Sequence, residues 1–241
     1  MKIKPLVVVT GASSGIGAAT ARAFDLAGYP TVLIARRLDR LENLDLKNAR
    51  LVGVDIRDTE AVTSAIVEVE SEYGPVDLLV NNAGLMPLGL IENQDPQEWR
   101  SMFDVNVLAL LEVTQIVLPG MNSRRHGTII NIGSVAGRNI YGNHTAYCGS
   151  KFAVHAISEG LRKEVAGNNV RVTVIAPGMV ETELLNTTVD DAVVADYQDY
   201  KRSIGGAMPP EVVAELIKDI YEQPQEVCIR EIVLAPTRQD A

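Results

Sequence analysis

The chain has 241 residues, of which 46% are hydrophobic, so it is long enough to bury a substantial core as one domain over residues 1–241. Its formal net charge of −9 excludes the basic surface typical of nucleic-acid-binding proteins. Two cysteines, Cys148 and Cys228, are too few for a disulfide framework, and the first apolar run is too short for a signal peptide or membrane span. We therefore expect a cytoplasmic protein without a nucleic-acid or membrane partner.

A glycine-rich turn follows the first predicted strand. Residues 5–10 form an apolar run without polar alternation, which predicts a strand buried on both faces of a parallel sheet. The turn and the helix predicted after it are typical of a dinucleotide-binding unit, because glycines let the backbone approach a pyrophosphate and a helix N-terminus supplies free N–H groups. The alternative is a turn that only packs helix against strand. The candidate residues are Gly11, Ser13, Ser14, Gly15, Ile16 and Gly17.

The second predicted strand, residues 31–35, is followed directly by Arg36 and Arg37. In dinucleotide folds an acidic residue here binds the ribose 2′-OH of NAD, whereas a nearby arginine accommodates the 2′-phosphate of NADP. A guanidinium also offers several fixed donors to phosphate oxygens. The sequence therefore predicts NADP(H) as cofactor and leaves open which arginine dominates. The alternative is a pair of surface arginines that cap a loop.

Strands and helices continue to alternate. The third predicted strand, residues 51–54, ends at Asp55, and a helix then begins at Asp58 and ends at Gly74. The fourth strand, residues 76–80, precedes the sequence Asn-Asn-Ala-Gly. This order predicts an α/β fold, a Rossmann-like doubly wound parallel sheet of about seven strands with helices on both faces.

The second half of the chain extends the pattern, with one exception. The predicted elements are a helix from Pro96 to about Leu118, strands over 128–132, 170–175 and 227–234, and a short helix that opens at Pro209 and Pro210. Residues 181–207 are polar and lack a clean period, which predicts an irregular, mobile lid over the substrate. Asn106 lies among apolar residues of the long helix, where it is either functional or a hydrogen-bonded structural residue.

Tyr147 and Lys151 are spaced i, i+4 on a predicted helix, so their side chains should lie one turn apart on one face. A cation ~4–6 Å from a phenol lowers the phenol's pKa by roughly 1–3 units, toward the range where it exchanges protons near neutral pH. Ser134, just after the predicted strand 128–132, adds a hydroxyl. The three form a proton-handling constellation, although the pair alone also fits a half-exposed aromatic beside a solvated charge.

These motifs, in this order, resemble those of the classical short-chain dehydrogenase/reductase family. The resemblance covers nearly the whole chain and rests on Thr10 to Gly17, Asn81 to Gly84, Asn106, Ser134, Tyr147-x-x-x-Lys151 and Pro177-Gly178. Within the family, the chain is similar to the bacterial NADP-dependent 3-hydroxy acid dehydrogenase type. The matching segments are Leu118 to Met121, His126 to Ser134 and Ala136-Gly137.

The resemblance implies an NADP-dependent oxidoreductase that interconverts a small secondary alcohol or hydroxy acid and its carbonyl compound by hydride transfer. Tyr147 would exchange a proton with the substrate oxygen, and Ser134 would hydrogen-bond that oxygen. Lys151 would lower the phenol's pKa and hold the nicotinamide ribose, and Asn106 would anchor a water that links Lys151 to solvent. Two alternatives stay open, a catalytically idle NADP-binding regulator and a family dehydratase or epimerase.

The other candidate site residues come from the family's motifs and from positions next to the inferred site. Further cofactor contacts would involve Asp55, Ile56, Asn82, Ala83, Gly84, Tyr147, Lys151, Pro177, Gly178, Val180 and Thr182, with Asp55 on the adenine amino group. The substrate pocket would be lined by Met86, Ser134, Arg138, Ile140, Tyr141, Tyr147 and Met179. Arg138 is a candidate partner of a substrate carboxylate, or else a solvated loop arginine. The histidines have no spacing typical of a metal site, so no metal is expected.

Two helices carry more apolar residues than one sheet face needs. They are Leu108, Leu110, Leu111 and Val113 on the long helix, and Phe152, Val154, Ile157 and Leu161 on the helix of Tyr147. Extra apolar faces usually mark interfaces. Members of the family commonly pair these helices, and the last strand, across a two-fold axis. We therefore expect a homodimer or homotetramer.

Overall fold

Seven parallel strands form a sheet in the order β3-β2-β1-β4-β5-β6-β7. The computed structural model describes residues 4–240. The strands are β1 (Leu6–Thr10), β2 (Thr31–Ala35), β3 (Ala49–Gly53), β4 (Val76–Asn81), β5 (Gly127–Ile132), β6 (Val170–Pro177) and β7 (Glu231–Leu234). The five inner strands are buried along their whole length, which explains their continuous apolar sequences. The predicted Rossmann-like doubly wound sheet is confirmed.

Helices cover both faces of the sheet. They are α1 (Gly15–Leu26), α2 (Leu38–Glu42), α3 (Thr59–Tyr73), α4 (Pro96–Phe103), α5 (Ala109–Arg124), α6 (Thr145–Val165), α7 (Asp191–Ser203) and α8 (Pro210–Tyr221). On one face Ile66 of α3 and Val113 of α5 join Leu79 of β4 in a buried cluster. On the other face Phe24 of α1 and Ile217 of α8 form a second cluster with strand side chains. The sheet therefore lies between two apolar layers. A site can form at the edge where the carboxyl ends of its strands lie.

Predicted helix ends are confirmed where a side chain caps the backbone. Asp58 accepts from Ala61 N at 3.0 Å at the start of α3, and Asp95 accepts from Gln97 N at 2.9 Å at the start of α4. Gly74 ends α3 at φ 87°, a conformation that favours glycine. These signals are local, so the sequence alone reveals them.

The prediction that the long helix ends before Pro119 is wrong, because the helix continues to Arg124. Pro119 lies inside α5, and Met121, two residues later, is fully buried in the core. Packing of that side chain offsets the backbone hydrogen bond that a proline cannot donate. Arg125, in the left-handed conformation at φ 54°, ends the helix instead.

A π-helical turn, Asp104–Leu108, joins α4 to α5, so Pro96–Arg124 is one continuous helical stretch. By length and composition this stretch could cross a membrane, since its most apolar window has a mean hydropathy of 1.5. However, 44% of that window is buried inside the protein, and a helix that packs into a protein core passes the same test.

Three other elements differ from the prediction. Residues 181–207 are not irregular, because they hold a 3₁₀ turn, Leu184–Thr187, and α7. Among the side chains of α7 only Val193 is buried, so no apolar period marks this helix in the sequence. Strand β7 begins at Glu231 rather than at residue 227, and the five-residue α2 is too short for periodicity to predict.

Candidate active site

Segments that follow the strands enclose a cavity of about 970 Å³ at the carboxyl edge of the sheet. In parallel α/β sheets ligands bind at this edge, and the volume lies within the range of ligand-binding pockets. Residues 181–207, the lid segment, close one side of the cavity. The predicted site residues that line it are Gly11, Ser13, Ser14, Gly15, Ile16, Arg36, Arg37, Asp55, Ile56, Asn82, Ala83, Gly84, Met86, Ser134, Tyr141, Tyr147, Lys151, Pro177, Gly178, Met179, Val180 and Thr182.

The glycine-rich turn is built from close backbone approaches. Gly11 has φ 65°, and a Cβ there would lie 2.8 Å from Ala83 Cα. A Cβ on Gly17 would lie 2.4 Å from the carbonyl oxygen of Gly11 and 2.6 Å from Asn82 Nδ2. Gly17 therefore lies behind the cavity and packs α1 against β1 and β4, while the N-terminus of α1 faces the cavity. A pyrophosphate fits this cradle chemically, because helix N-termini bind anions through free N–H groups.

Three arginines surround the end of the cavity next to β2. Arg36 and Arg37 follow the strand as predicted, and Arg40 of α2 joins them. Arg37 Nη2 donates to Ser13 Oγ and Ser14 Oγ, both at 3.0 Å, which ties this arginine to the glycine-rich turn. The sequence analysis does not predict α2 and therefore does not name Arg40. The i+3 spacing of Arg40 from Arg37 is nevertheless a usable signal. This donor set fits a phosphate on the adenosine ribose.

Asp55, two residues after β3, lines the cavity beside Arg57. Arg57 Nε donates to Asp55 Oδ1 at 3.0 Å and Arg57 Nη2 donates to Oδ2 at 2.7 Å. These hydrogen bonds lower the pKa of Asp55 to about 2, so the carboxylate is ionised and can only accept. Such a fixed acceptor suits an amino group such as that of adenine.

Ser134, Tyr147 and Lys151 are buried together at the other end of the cavity. Ser134 follows β5, and its Oγ accepts from Ala136 N at 3.0 Å. Tyr147 and Lys151 lie one turn apart on α6, with Lys151 Nζ 5.8 Å from the Tyr147 ring centroid. Lys151 Nζ donates to the carbonyl oxygen of Ile132 at 2.8 Å, so the end of β5 fixes the position of the ammonium group.

Burial dominates the electrostatics of this group. It raises the pKa of Tyr147 above the ordinary phenol value, while a hydrogen bond with Ser134 acts in the opposite direction. It also lowers the pKa of Lys151 to about 8. The expected lowering of the Tyr147 pKa by Lys151 is not seen in this structure, where burial dominates and the ammonium group donates to Ile132. The role of Lys151 beside the phenolate formed during a reaction stays a prediction. Tyr147 is a neutral phenol here, the form that donates a proton.

Comparison with known proteins identifies the family. The chain matches the model of the short chain dehydrogenases over residues 5–192. The chain belongs to the short-chain dehydrogenase/reductase family. It is 38% identical over 240 residues to an uncharacterized oxidoreductase of Staphylococcus saprophyticus, which covers 97% of this chain and 96% of the relative. The predicted family is thus confirmed, and the protein is an oxidoreductase of that family.

Two solved structures of the same class are similar over nearly the whole length. The closed form of serine dehydrogenase complexed with NADP+ has a TM-score of 0.89 at 32% identity, covering 98% of this chain and 96% of that chain. Serine dehydrogenase from Escherichia coli has a TM-score of 0.84 at 32% identity, covering 98% of this chain and 100% of that chain. The similarity includes the seven-stranded sheet that forms the cavity.

Asn106 of this short-chain dehydrogenase lies behind the cavity rather than in its lining. The π-helical turn buries its side chain, whose Nδ2 donates to Leu85 O at 2.9 Å and to Ser150 Oγ at 3.1 Å. Its Oδ1 accepts from Leu85 N at 2.8 Å. The amide thus ties the long helix to the segment after β4 and to α6, which is the structural alternative raised above. The water that the family resemblance places on Asn106 stays a prediction.

Two predicted substrate residues do not reach the cavity. Arg138 Nη1 binds Glu231 Oε2 at 2.9 Å, and a carboxylate of the chain thus already holds the arginine expected to bind one on a substrate. Ile140 is 68% exposed and is not among the residues that line the cavity. Sequence proximity to Ser134 could not reveal which residues of the loop line the cavity. The prediction that Arg138 and Ile140 line the substrate pocket is therefore wrong.

Several residues that line the substrate end are not among the predicted site residues. His144 stacks on Tyr197 of α7 with ring centroids 6.3 Å apart, and burial lowers the pKa of His144, which keeps its ring neutral. Leu185 and Val193 of the lid segment pack into the buried cluster that holds Tyr147. The i, i+3 spacing of His144 and Tyr147 was available in the sequence, whereas the lid contacts are long-range.

His155 supports the Ser134 loop from behind. A Cβ on Gly133 would lie 2.4 Å from His155 Nε2, and one on Gly137 would lie 2.5 Å from its Cδ2. Glu231 Oε1 lies 3.2 Å from His155 Nδ1. The imidazole therefore occupies the space that two glycines leave on either side of Ser134. No group of metal-ligating side chains is present among residues 4–240.

Proposed function

We propose that the protein is an NADP(H)-dependent oxidoreductase that interconverts a small secondary alcohol or hydroxy acid and its carbonyl compound by hydride transfer. One observation carries the proposal. A serine, a tyrosine and a lysine are buried at one end of a cavity, and arginines surround the other end. Family membership supports the reaction class. The similar serine dehydrogenase that was solved with NADP+ supports the cofactor.

The cofactor choice follows from charge at the end of β2. The strand ends at Ala35, so no carboxylate stands where NAD-binding folds present one, and Arg36, Arg37 and Arg40 line the cavity beyond it. Guanidinium forks bind phosphate oxygens with fixed geometry. When bound, the nicotinamide cofactor supplies the hydride in reduction and accepts it in oxidation.

The chain's own residues handle the proton and the developing charge. In reduction, Tyr147 Oη delivers its proton to the carbonyl oxygen as the carbonyl carbon gains the hydride. Because Ser134 Oγ accepts from Ala136 N, its own proton can be donated to that oxygen. Lys151, held by the carbonyl of Ile132, places a cation beside the phenolate that forms. The product is the alcohol, and oxidation is the reverse.

The lining of the substrate end favours neutral substrates over acids. Met86, Leu185 and Val193 supply apolar surface there. Lys201 of α7 is paired with Glu181 at 2.5 Å, and Arg138 lies outside the cavity. A substrate carboxylate would therefore compete with existing ion pairs. We expect small neutral ketones to be reduced faster than keto acids of similar size.

A panel of carbonyl compounds tests the proposal. NADPH absorbance is followed after addition of neutral ketones, aldehydes and keto acids, with NADH in a parallel series. We expect NADPH to be consumed and the alcohol to accumulate in equal amount. Tight NADPH binding with no consumption on any compound would favour the idle regulator, and product without net cofactor change would favour a dehydratase or epimerase.

We also propose that the enzyme is a homodimer or homotetramer. Leu108 and Leu111 on the long helix are 48% and 41% exposed, and Phe152 on α6 is 41% exposed. These side chains form an apolar surface on the two helices that family members commonly pair. Light scattering at micromolar concentration should give two or four times the 26.1 kDa chain mass. A monomeric mass would reject this assembly.

A further inference from the structure

Glu183, near the start of the lid segment, is held by two arginines of the cofactor end. Its Oε2 accepts from Arg37 Nη1 at 2.8 Å, and its Oε1 accepts from Arg40 Nη1. Arg37 also donates to the hydroxyls of Ser13 and Ser14 at the glycine-rich turn. Both carboxylate oxygens are therefore engaged by groups that lie outside the lid segment.

This donor set resembles a phosphate site more than a simple ion pair. Two guanidinium groups converge on one monoanion, and guanidinium forks bind carboxylate and phosphate oxygens in the same way. Hydrogen bonds from Arg37 and Arg40 lower the pKa of Glu183, so the carboxylate is charged at neutral pH. Its oxygens occupy the donors that the 2′-phosphate of NADP(H) would use.

We propose that Glu183 is a specificity-determining residue that competes with the 2′-phosphate of NADP(H) for Arg37 and Arg40. Arrival of the phosphate exchanges one anion for another and detaches the start of the lid segment from the cofactor end. The inference rests on the proposed function, because it takes NADP(H) as the cofactor. NADH has no 2′-phosphate, so it gains nothing from this exchange.

The lid segment has a second attachment at the substrate end. Thr187 Oγ1 accepts from Met86 N at 3.0 Å, and Thr188 Oγ1 accepts from Leu88 N at 3.1 Å. These bonds do not involve the arginines. Replacement of the Glu183 carboxylate by the phosphate therefore loosens residues 182–186 first, while α7 stays anchored.

The expected size of the effect is moderate. The side chains of Arg37, Arg40 and Glu183 are 43%, 44% and 38% exposed, so solvent screens both ion pairs. Two exposed ion pairs correspond to a roughly 3- to 30-fold change in affinity. A change of that size is measurable by titration calorimetry.

The test compares Glu183→Gln with Glu181→Gln in the full chain. The control removes the same charge two residues away, where the partner is Lys201 rather than an arginine of the cofactor end. Dissociation constants are measured for NADPH, NADH and adenosine 2′,5′-bisphosphate. We expect Glu183→Gln to bind NADPH and the bisphosphate roughly 3- to 30-fold more tightly, with NADH unchanged. The control should leave the NADPH-to-NADH ratio as it is.

Hydrogen exchange supplies the second readout. Addition of the bisphosphate to the wild type should speed exchange in residues 182–186 and leave residues 191–203 unchanged. An equal gain for NADH and NADPH in Glu183→Gln would overturn the proposal, since the carboxylate would then only obstruct entry. A wild type that does not prefer NADPH over NADH would instead reject the proposed cofactor. Even then, tighter binding of the bisphosphate by Glu183→Gln would support competition between Glu183 and a phosphate for the arginines.

Discussion

The two ends of the cavity are built in different ways. The cofactor end consists of turns that directly follow β1, β2 and β3, so its glycines, arginines and Asp55 are close together in sequence. The substrate end is assembled from the segment after β4, the start of α6 and the lid segment, which are far apart in the chain. One end is encoded by local motifs, and the other depends on how distant elements pack.

This difference has a functional consequence. The cofactor end can stay constant while the lid segment changes, because the ion pairs that link the two are half-exposed and come from one lid residue, Glu183. The Thr187 and Thr188 hydrogen bonds instead link the lid segment to the segment after β4, at the substrate end. Substrate preference can therefore vary without loss of the hydride-transfer geometry. Substitutions at the two ends should therefore have separable effects.

Tyr147→Phe should give the largest effect, and the effect should be limited to the chemical step. The substitution removes the hydroxyl that we propose as the proton donor, while the ring still packs in its buried cluster. General acid–base catalysis contributes about 10²- to 10⁴-fold, so kcat should fall by that factor. The NADPH dissociation constant should stay close to that of the wild type, because the glycine-rich turn and the arginines at the other end are unchanged.

Tyr197→Phe is the matched control for this prediction. It removes a tyrosine hydroxyl from the same end of the cavity, on α7 rather than on α6. We expect a change mainly in KM for the carbonyl substrate. If Tyr147→Phe kept half of the wild-type kcat, Tyr147 would not be the proton donor.

Lys151→Met should change how stability depends on pH. The unfolded lysine keeps its proton up to about pH 10.5, whereas the buried lysine releases it near pH 8. Between these values the unfolded state binds more protons, so the free energy of unfolding of the wild type should rise with pH. From pH 8 to 10 the wild type should gain on the order of 2 kcal/mol relative to the variant.

Denaturant unfolding of both proteins at several pH values measures this difference. Other titrating groups, including Tyr147, remain in both proteins, so they cancel in the comparison. If the free energy of unfolding of the wild type relative to the variant fell as pH rises from 8 to 10, Lys151 would not have a lowered pKa in the folded protein.

The same division separates the features that the sequence predicts from those that it does not. The sheet, most strands and the cofactor turn were predicted, because apolar runs and glycine spacing are local signals. The end of α5 was not, because burial of Met121 carries the helix past Pro119. Neither the pairing of Arg138 with Glu231 nor the contacts of the lid segment were predicted, since each joins residues that only the fold brings together.

Arg37→Ala should weaken NADPH binding more than Arg36→Ala does. Arg37 is positioned by Ser13 and Ser14, so its donors are already oriented toward the cofactor end. Loss of a charged hydrogen bond to phosphate costs about 1.5–3 kcal/mol, or roughly 10- to 100-fold in the NADPH dissociation constant. NADH binding should change little.

Arg50→Ala provides the matched control for the arginine variants. Arg50 lies on β3 and pairs with Glu68 outside the cavity. It should leave both dissociation constants unchanged. A wild type with equal affinity for NADH and NADPH, or an Arg37→Ala variant that loses both cofactors equally, would contradict the assignment of the 2′-phosphate to this arginine.

Thr188→Val should give the smallest effect and should act on the lid segment alone. Thr188 is buried, its Oγ1 donates to Met86 O at 2.9 Å, and valine keeps its shape but leaves Leu88 N and Met86 O without this partner. An unsatisfied buried group costs about 1–3 kcal/mol, which should speed hydrogen exchange in residues 191–203 by roughly 5- to 100-fold. Thr63→Val, whose hydroxyl bonds only within α3, is the control. Because Thr188 bonds to Met86 and Leu88 and not to the arginines, NADPH affinity should stay unchanged. Equal loss of protection in the core strands would show that the lid segment does not open independently.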